Sequence, residues 1–293
     1  MQKYGHKKGK QQYRCKQCQH QFSPRQRRPA WVKRAYHQYV KGKHSLQELR
    51  VIYRKSLPTL RKYFDQLPPE NRPLRNETLS VNLIFDATFF SRHDGVLVFR
   101  ANKKNLYWRF IDSETLQAIE ESLRYLSANH YIFKSFTIDG RKGVIQLLER
   151  VFPGIPIQLC HFHQSQIIRR YTTNNPKTNC GKELKALIGK LTEIDETTFE
   201  QHLNYLRNKY HYFLLEKNEN NQYIHRRLRS AIRSLKANLP YLFTYQKFPD
   251  LAIPNTTNSC DGSFAHWKQK LKIHRGLRKN RRNKMIDYLL NQG

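Results

Sequence analysis

Phe136-Thr137-Ile138-Asp139-Gly140 ends an apolar run on a carboxylate. The run opens near Phe133 and reads as a strand, with Asp139-Gly140 as the turn that stops it. Two other segments also set an acid at the edge of an element. Leu83-Ile84-Phe85-Asp86 puts an Asp at the end of a strand-like run. Thr256-Thr257-Asn258-Ser259-Cys260-Asp261 puts one at the start of a helix-like run. Acids are scarce here, 22 Asp plus Glu against 54 Lys plus Arg, so three in structured, apolar settings stand out. An unpaired buried carboxylate costs several kcal/mol, and bound cations would give clustered acids a reason to meet.

Working outward from these runs, the pattern predicts strands over 80–90, 95–101 and 105–111, joined by tight turns. A helix follows over 113–129 with Ser113 as its cap and Leu116, Ile119, Leu123 and Leu126 on one face. A strand over 133–138, a helix over 142–152, a strand over 155–159 and a helix from Cys160 to about 171 complete the series. The order β-β-β-α-β-α-β-α predicts an α/β domain over 79–293: a mixed five-stranded sheet with helices on both faces. The first and fourth strands can be neighbours, which would bring Asp86 and Asp139 to one edge. Residues 172–250 turn polar, basic and helical in period, and read as an all-helical insertion. Its helix over about 222–238 carries Arg226, Arg229 and Arg233, which have few acids to pair with and read as DNA contacts. The cation-dense stretch after 271, with Lys272 and Arg275, reads the same way.

Upstream lie three shorter segments. Residues 1–28 form a basic arm holding Cys15-Lys16-Gln17-Cys18, half of a zinc ribbon. Tetrahedral Zn2+ needs four ligands, which His6 and His20 could complete with Cys15 and Cys18. Residues 29–67 read as three short helices. Ser45 and Glu48 form a capping box for the second, and Ser56 caps the third with Pro58 in its first turn. Leu49, Ile52, Leu60 and Phe64 are expected inside, and Thr59, Arg61 and Lys62 outside. This is the layout of a helix-turn-helix unit whose last helix enters the major groove. Leu67-Pro68-Pro69-Glu70-Asn71-Arg72-Pro73 opens a linker over 68–78.

The formal charge of +32 and the sequence pI near 10.2 imply a polyanionic partner, with counterion release from nucleic acid as the driving term. No run approaches the roughly 20 apolar residues of a membrane span, and the N-terminus lacks a signal peptide's apolar region. Five cysteines, an odd number, fit a reduced cytoplasmic, nucleoid-associated setting better than a disulfide scaffold.

The motifs Ile84-Phe85-Asp86, Thr137-Ile138-Asp139-Gly140, Cys160-His161-Phe162-His163, Thr256-Thr257-Asn258-Ser259-Cys260-Asp261 and Leu271-Lys272-Ile273-His274-Arg275-Gly276-Leu277 go together. In these the chain resembles bacterial insertion-sequence transposases of the mutator-like kind. The resemblance implies a ribonuclease-H-like core that cuts and joins DNA at the terminal inverted repeats and target of a mobile element. It implies Mg2+ or Mn2+ held by Asp86, Asp139 and Asp261, with Cys160, His163 and Asn258 supporting the site. The working assembly is expected to be a homodimer on double-stranded DNA. Such enzymes usually carry Glu third; Asp261 is one methylene shorter, about 1.5 Å. The alternative is a decayed copy that acts only as a sequence-specific DNA-binding protein or repressor.

Overall fold

The computed structural model describes residues 1–7, 10–23, 29–68, 77–274 and 276–291. The chain divides into two units, Met1–Pro68 and Pro69–Gly293. Positions 24–28 of the basic arm, 69–76 of the proline-rich linker, and Arg275 lie outside the described residues.

The first unit opens with an antiparallel sheet of β1 (Gln2–Lys7), β2 (Lys10–Arg14) and β3 (Gln21–Phe22). The basic arm thus holds three strands among its described residues. Tyr13 pairs with Phe22 across β2 and β3 with ring centroids 6.1 Å apart, the kind of cross-strand aromatic pair that fixes a small sheet. Cys15 and Cys18 lie in the intervening turn, where the Gln19 N–H donates to Cys15 O and the Cys15 N–H to His20 O. His6 and His20 do not join the two thiols in a ligand group, so Cys15 and Cys18 stand as half a site among the described residues.

Three helices follow, α1 (Ala30–Val40), α2 (Leu46–Tyr53) and α3 (Leu57–Asp65). Val32, Ala35, Tyr36, Tyr39, Leu49, Leu60 and Phe64 are buried, as the helical period predicts. Ile52 is not; it is 52 % exposed. Tyr53, four residues after Leu49, takes the inward position instead, and its hydroxyl donates to Gln38 Oε1 at 2.9 Å. The capping box is complete: Ser45 Oγ accepts from the Glu48 N–H at 3.2 Å, and Glu48 Oε2 from the Ser45 N–H at 2.6 Å. Ser45→Ala is expected to lower amide-exchange protection across 46–53 by about 5-fold, read by hydrogen exchange of the full chain. Unchanged protection would remove the cap's role.

The second unit is built on five strands: β4 (Leu79–Ser91), β5 (Asp94–Ala101), β6 (Lys104–Ile111), β7 (Tyr131–Ile138) and β8 (Ile157–Leu159). Their order is β6-β5-β4-β7-β8. The first three form an antiparallel meander, while β4 pairs β7 and β7 pairs β8 in parallel. The parallel pairs need crossovers, supplied by α4 (Leu116–Ala128) and α5 (Lys142–Val151). On β4, Val81, Leu83 and Phe85 face the core shared with Ile119, Leu123 and Leu148 of those helices. The opposite face carries Asp86 and packs against α12 (Asn258–Ile273). The unit is thus a mixed α/β fold with helices on both sides of the sheet.

Between these elements come α6 (His161–Thr172), α7 (Asn179–Gly189), α8 (Glu196–Lys209), α9 (His211–Leu215), α10 (Arg226–Leu242), α11 (Thr244–Lys247) and a 3-10 turn (Pro249–Leu251). The helix expected over 222–238 is displaced toward the C-terminus. Asn218 Oδ1 accepts from the Asn220 and Gln222 N–H groups and holds that approach as a turn. Gln158 Nε2 donates to Leu242 O at 2.8 Å and Thr244 Oγ1 to Ile157 O at 2.7 Å, tying the insertion to β8. Thr115, not Ser113, caps α4, and Leu116 is 38 % exposed rather than inward. The cation-rich tail contains a further helix, α13 (Lys279–Leu290), with Met285, Ile286, Leu289 and Leu290 buried. Arg282 pairs with buried Asp94, and Trp108 Nε1 donates to Asp287 Oδ1 at 2.8 Å, fastening α13 to the meander. No helix among the described residues is long and apolar enough to cross a membrane.

Candidate metal centre

The sheet register assembles the site. Ile84 pairs with Thr137 across the parallel strands, so Asp86 and Asp139, two residues on from each, emerge at the same end. Gly140 follows at φ +84, a left-handed turn that lets the chain leave the strand at once. The Cys160 N–H donates to Ile138 O at 2.8 Å, which pins the start of α6 beside the end of β7. His163, one turn into α6, therefore faces the Asp86 end of the sheet, as does Asp261, one turn into α12.

One ligand atom each from Asp86, His163 and Asp261 lies within 4.8 Å of the others, and no second such group of three His, Cys, Asp or Glu residues occurs among the described residues. Two of the three expected acids meet here. Asp139 is outside this tight group; its Oδ1 accepts the Arg141 N–H at 3.2 Å. His163, expected to support the site, instead offers an atom to it. Asn258 is exposed at the start of α12.

The electrostatics favour a cation. Asp86 keeps some exposed surface, yet its carboxylate is enclosed. Burial pushes its pKa up to about 7; His163 opposes this, and the negative Asp261 and Asp139 add to it. His163 is raised to about 9, first by its hydrogen bond with Cys160 and then by the charges of Cys160, Asp86 and Asp261, against a burial penalty. Burial works to raise the Cys160 thiol, but hydrogen bonds from His163 and Thr257 outweigh it and bring it below its ordinary value. The positive imidazolium thus occupies the place where a metal ion's charge would act. Two carboxylates and an imidazole form a donor set that fits Mn2+ and tolerates Mg2+.

Two participants escaped the sequence reading. Thr257 is fully buried at the N-cap of α12, yet its side chain makes no cap bond. Its Oγ1 lies 3.3 Å from Cys160 Sγ, His163 Nδ1 and Asp261 Oδ2, and its N–H donates to Cys160 Sγ at 3.2 Å. The only available signal was a Thr just before a helix, and that ordinarily means capping. Glu114 is the second. Burial and the negative Asp139 raise its pKa, while Arg141 Nη1 lies 3.4 Å from its Oε1. Thr257→Val would take one hydrogen-bonding partner from each of Cys160, His163 and Asp261. It is expected to destabilise the metal-free protein by about 1–3 kcal/mol in urea unfolding, with Thr257→Ser close to wild type. Equal loss in both variants would show that the hydroxyl is not what matters.

The expected DNA contacts fall in separate places. Arg61 and Lys62 are exposed on α3, while Thr59 is half-buried with its Oγ1 2.8 Å from Ser56 Oγ. Arg226 and Arg233 are exposed on α10, and Lys272 on α12. Arg229 donates to Leu214 O at 3.1 Å and lies 3.7 Å over the Tyr223 ring. Arg229 and Arg233 line a cavity of about 330 Å³ with Arg207, His211 and Lys236.

No protein-family model matches the chain, and no curated protein matches it.

Proposed function

We propose that the chain is a metal-dependent DNA strand-cleaving and strand-joining enzyme, a transposase acting at the ends of a mobile element on a ribonuclease-H-like core. The observation that carries this reading is the meeting of Asp86, His163 and Asp261 beside the point where the parallel pairing of β4 and β7 ends, in a chain of net charge +32. So basic a protein attracts a polyanion, and a carboxylate site beside this central strand pair gives that polyanion a reacting centre.

Asp86, Asp261 and His163 would hold one ion, with Asp139 on the neighbouring strand end available to a second. Bound Mg2+ or Mn2+ supplies charge at a phosphoryl oxygen and a more acidic water or 3′-hydroxyl. Cys160 and Thr257 orient His163 from behind. Asp261 reaches the group from α12, and its ligand atom lies within 4.8 Å of those of Asp86 and His163. The exposed cations of α3, α10 and α12 bind the phosphate backbone, with α1–α3 as the helix-turn-helix reader. A homodimer on paired element ends is the assembly this chemistry uses.

The test is strand cleavage of a duplex carrying the element's own terminal repeat, in Mg2+ or Mn2+. Wild type is expected to cleave and to join the freed 3′ end to target DNA, and Asp261→Ala to do neither. Asp261→Glu tests whether the shorter acid suits this site; improved cleavage would show that it is a handicap. Specific binding without cleavage in any metal would replace the proposal with a DNA-binding protein or repressor. The position of Asp139 outside the tight group is what keeps that second reading in play.

A further inference from the structure

A second cavity, of about 380 Å³, opens where the far end of β4 meets the C-terminal turns of α12. Its walls include Phe89, Phe90, Leu271 and Leu277, and Lys268 and Lys272 stand at it. Phe89 is 36 % exposed, and its ring lies over Gly95, where a Cβ would sit 2.7 Å from Phe89 Cδ1. The two lysines are exposed, one helical turn apart, and have no hydrogen bond or ion pair to any other described residue. Arg282 also lines the cavity, but its guanidinium is already held by Asp94.

We propose that this cavity takes one unpaired nucleotide of the DNA strand that passes through the metal centre. The inference rests on the proposed DNA chemistry and adds to it a site and a strand state. Aromatic walls beside unpaired lysines provide what a single-stranded base needs: a face for stacking and cations for its phosphates. A duplex keeps its base faces covered by stacking. The location follows from the same two elements that carry the acids. Phe90 lies four residues beyond Asp86 on a strand, and Lys268 lies seven beyond Asp261 on a helix. The rise along each element from acid to cavity is therefore about 10–13 Å. At duplex spacing that is about three to four nucleotides along one strand. The cavity between α8, α9 and α10 differs: four Lys or Arg side chains converge on it and no Phe, Tyr or Trp lines it, which suits backbone phosphate rather than a base.

The test is fluorescence anisotropy without divalent metal, comparing a fully paired 20-base-pair duplex with the same duplex carrying a four-nucleotide single-stranded tail. Wild type is expected to bind the tailed duplex between about 5- and 100-fold more tightly. Phe89→Ala should lose that preference while binding the paired duplex as before, and Phe89→Trp should keep it. Equal binding of both duplexes by wild type, or an unchanged preference in Phe89→Ala, overturns the site and leaves the proposed function standing. Failure to bind either duplex removes the proposed function and this site with it.

Discussion

Asp86→Asn is expected to lower metal-dependent strand cleavage by at least about 10³-fold while leaving duplex affinity unchanged. The substitution keeps the shape of the side chain and removes one of the two carboxylates in the tight group. Metal stabilisation of transition-state charge is worth several kcal/mol, and each 1.36 kcal/mol is tenfold in rate. A second readout separates this from misfolding. The enclosed Asp86 carboxylate is penalised when charged, which is why its pKa stands at about 7. Asn carries no such penalty, so metal-free Asp86→Asn should melt no lower than wild type at pH 8. Asp139→Asn, outside the tight group, should lose less cleavage than Asp86→Asn. Cleavage that survives Asp86→Asn within tenfold would take Asp86 out of the chemistry.

Mn2+ affinity is expected to rise about 10³-fold between pH 6 and pH 8. The metal and the protons compete for the same atoms. With Asp86 titrating at about 7 and His163 at about 9, both are protonated at pH 6 and must release a proton to bind metal. Between 7 and 9 only His163 still has one to release, so the slope of log affinity against pH falls from about two to about one. The metal-free protein should behave in the opposite sense. Asp86 holds its proton more tightly folded than unfolded, so its contribution is complete below about pH 4 and lost as pH rises through 7. The contribution of His163 is complete below about pH 6.5 and lost through 9. Metal-free stability should therefore fall from pH 6 to pH 9, and Mn2+ should restore it. Calorimetry in two buffers of different ionisation heat counts the protons directly. Release of a single proton at pH 6 would leave His163 outside the ligand set.

Much of this centre was legible because strand alternation and the acid positions are local signals. The run ending at Asp139 marks a strand end, Asp86 lies within the longer β4 just past its pairing with β7, and the crossover between these strands makes them parallel. What stayed hidden depended on partners distant in sequence. Cys160 and His163 share a helix face by spacing, but only the packing of α12 against β4 brings Thr257 and Asp261 to them. Thr257 went without a role because nothing local says that its hydroxyl turns inward. Helix α13 was obscured by its own cations, which cover the outer face of the apolar set Met285, Ile286, Leu289 and Leu290. Ile52 failed because two positions of α2, three and four residues after Leu49, compete for one inward place, and Tyr53 takes it with a hydrogen bond.

Asp86 and Asp261 are about 175 residues apart in sequence, with the whole helical insertion between them. That separation sets an order of events during synthesis. At about 5–20 residues per second, the ribosome adds Asp261 roughly 10–35 s after Asp86. The first unit, up to Pro68, is finished earlier still. On the proposed function, a growing chain completes α1–α3, the proposed DNA reader, well before it carries Asp261, the last of the three candidate ligands. Translation itself then acts as a delay line: under that proposal, a chain stalled before α12 would hold DNA without cutting it.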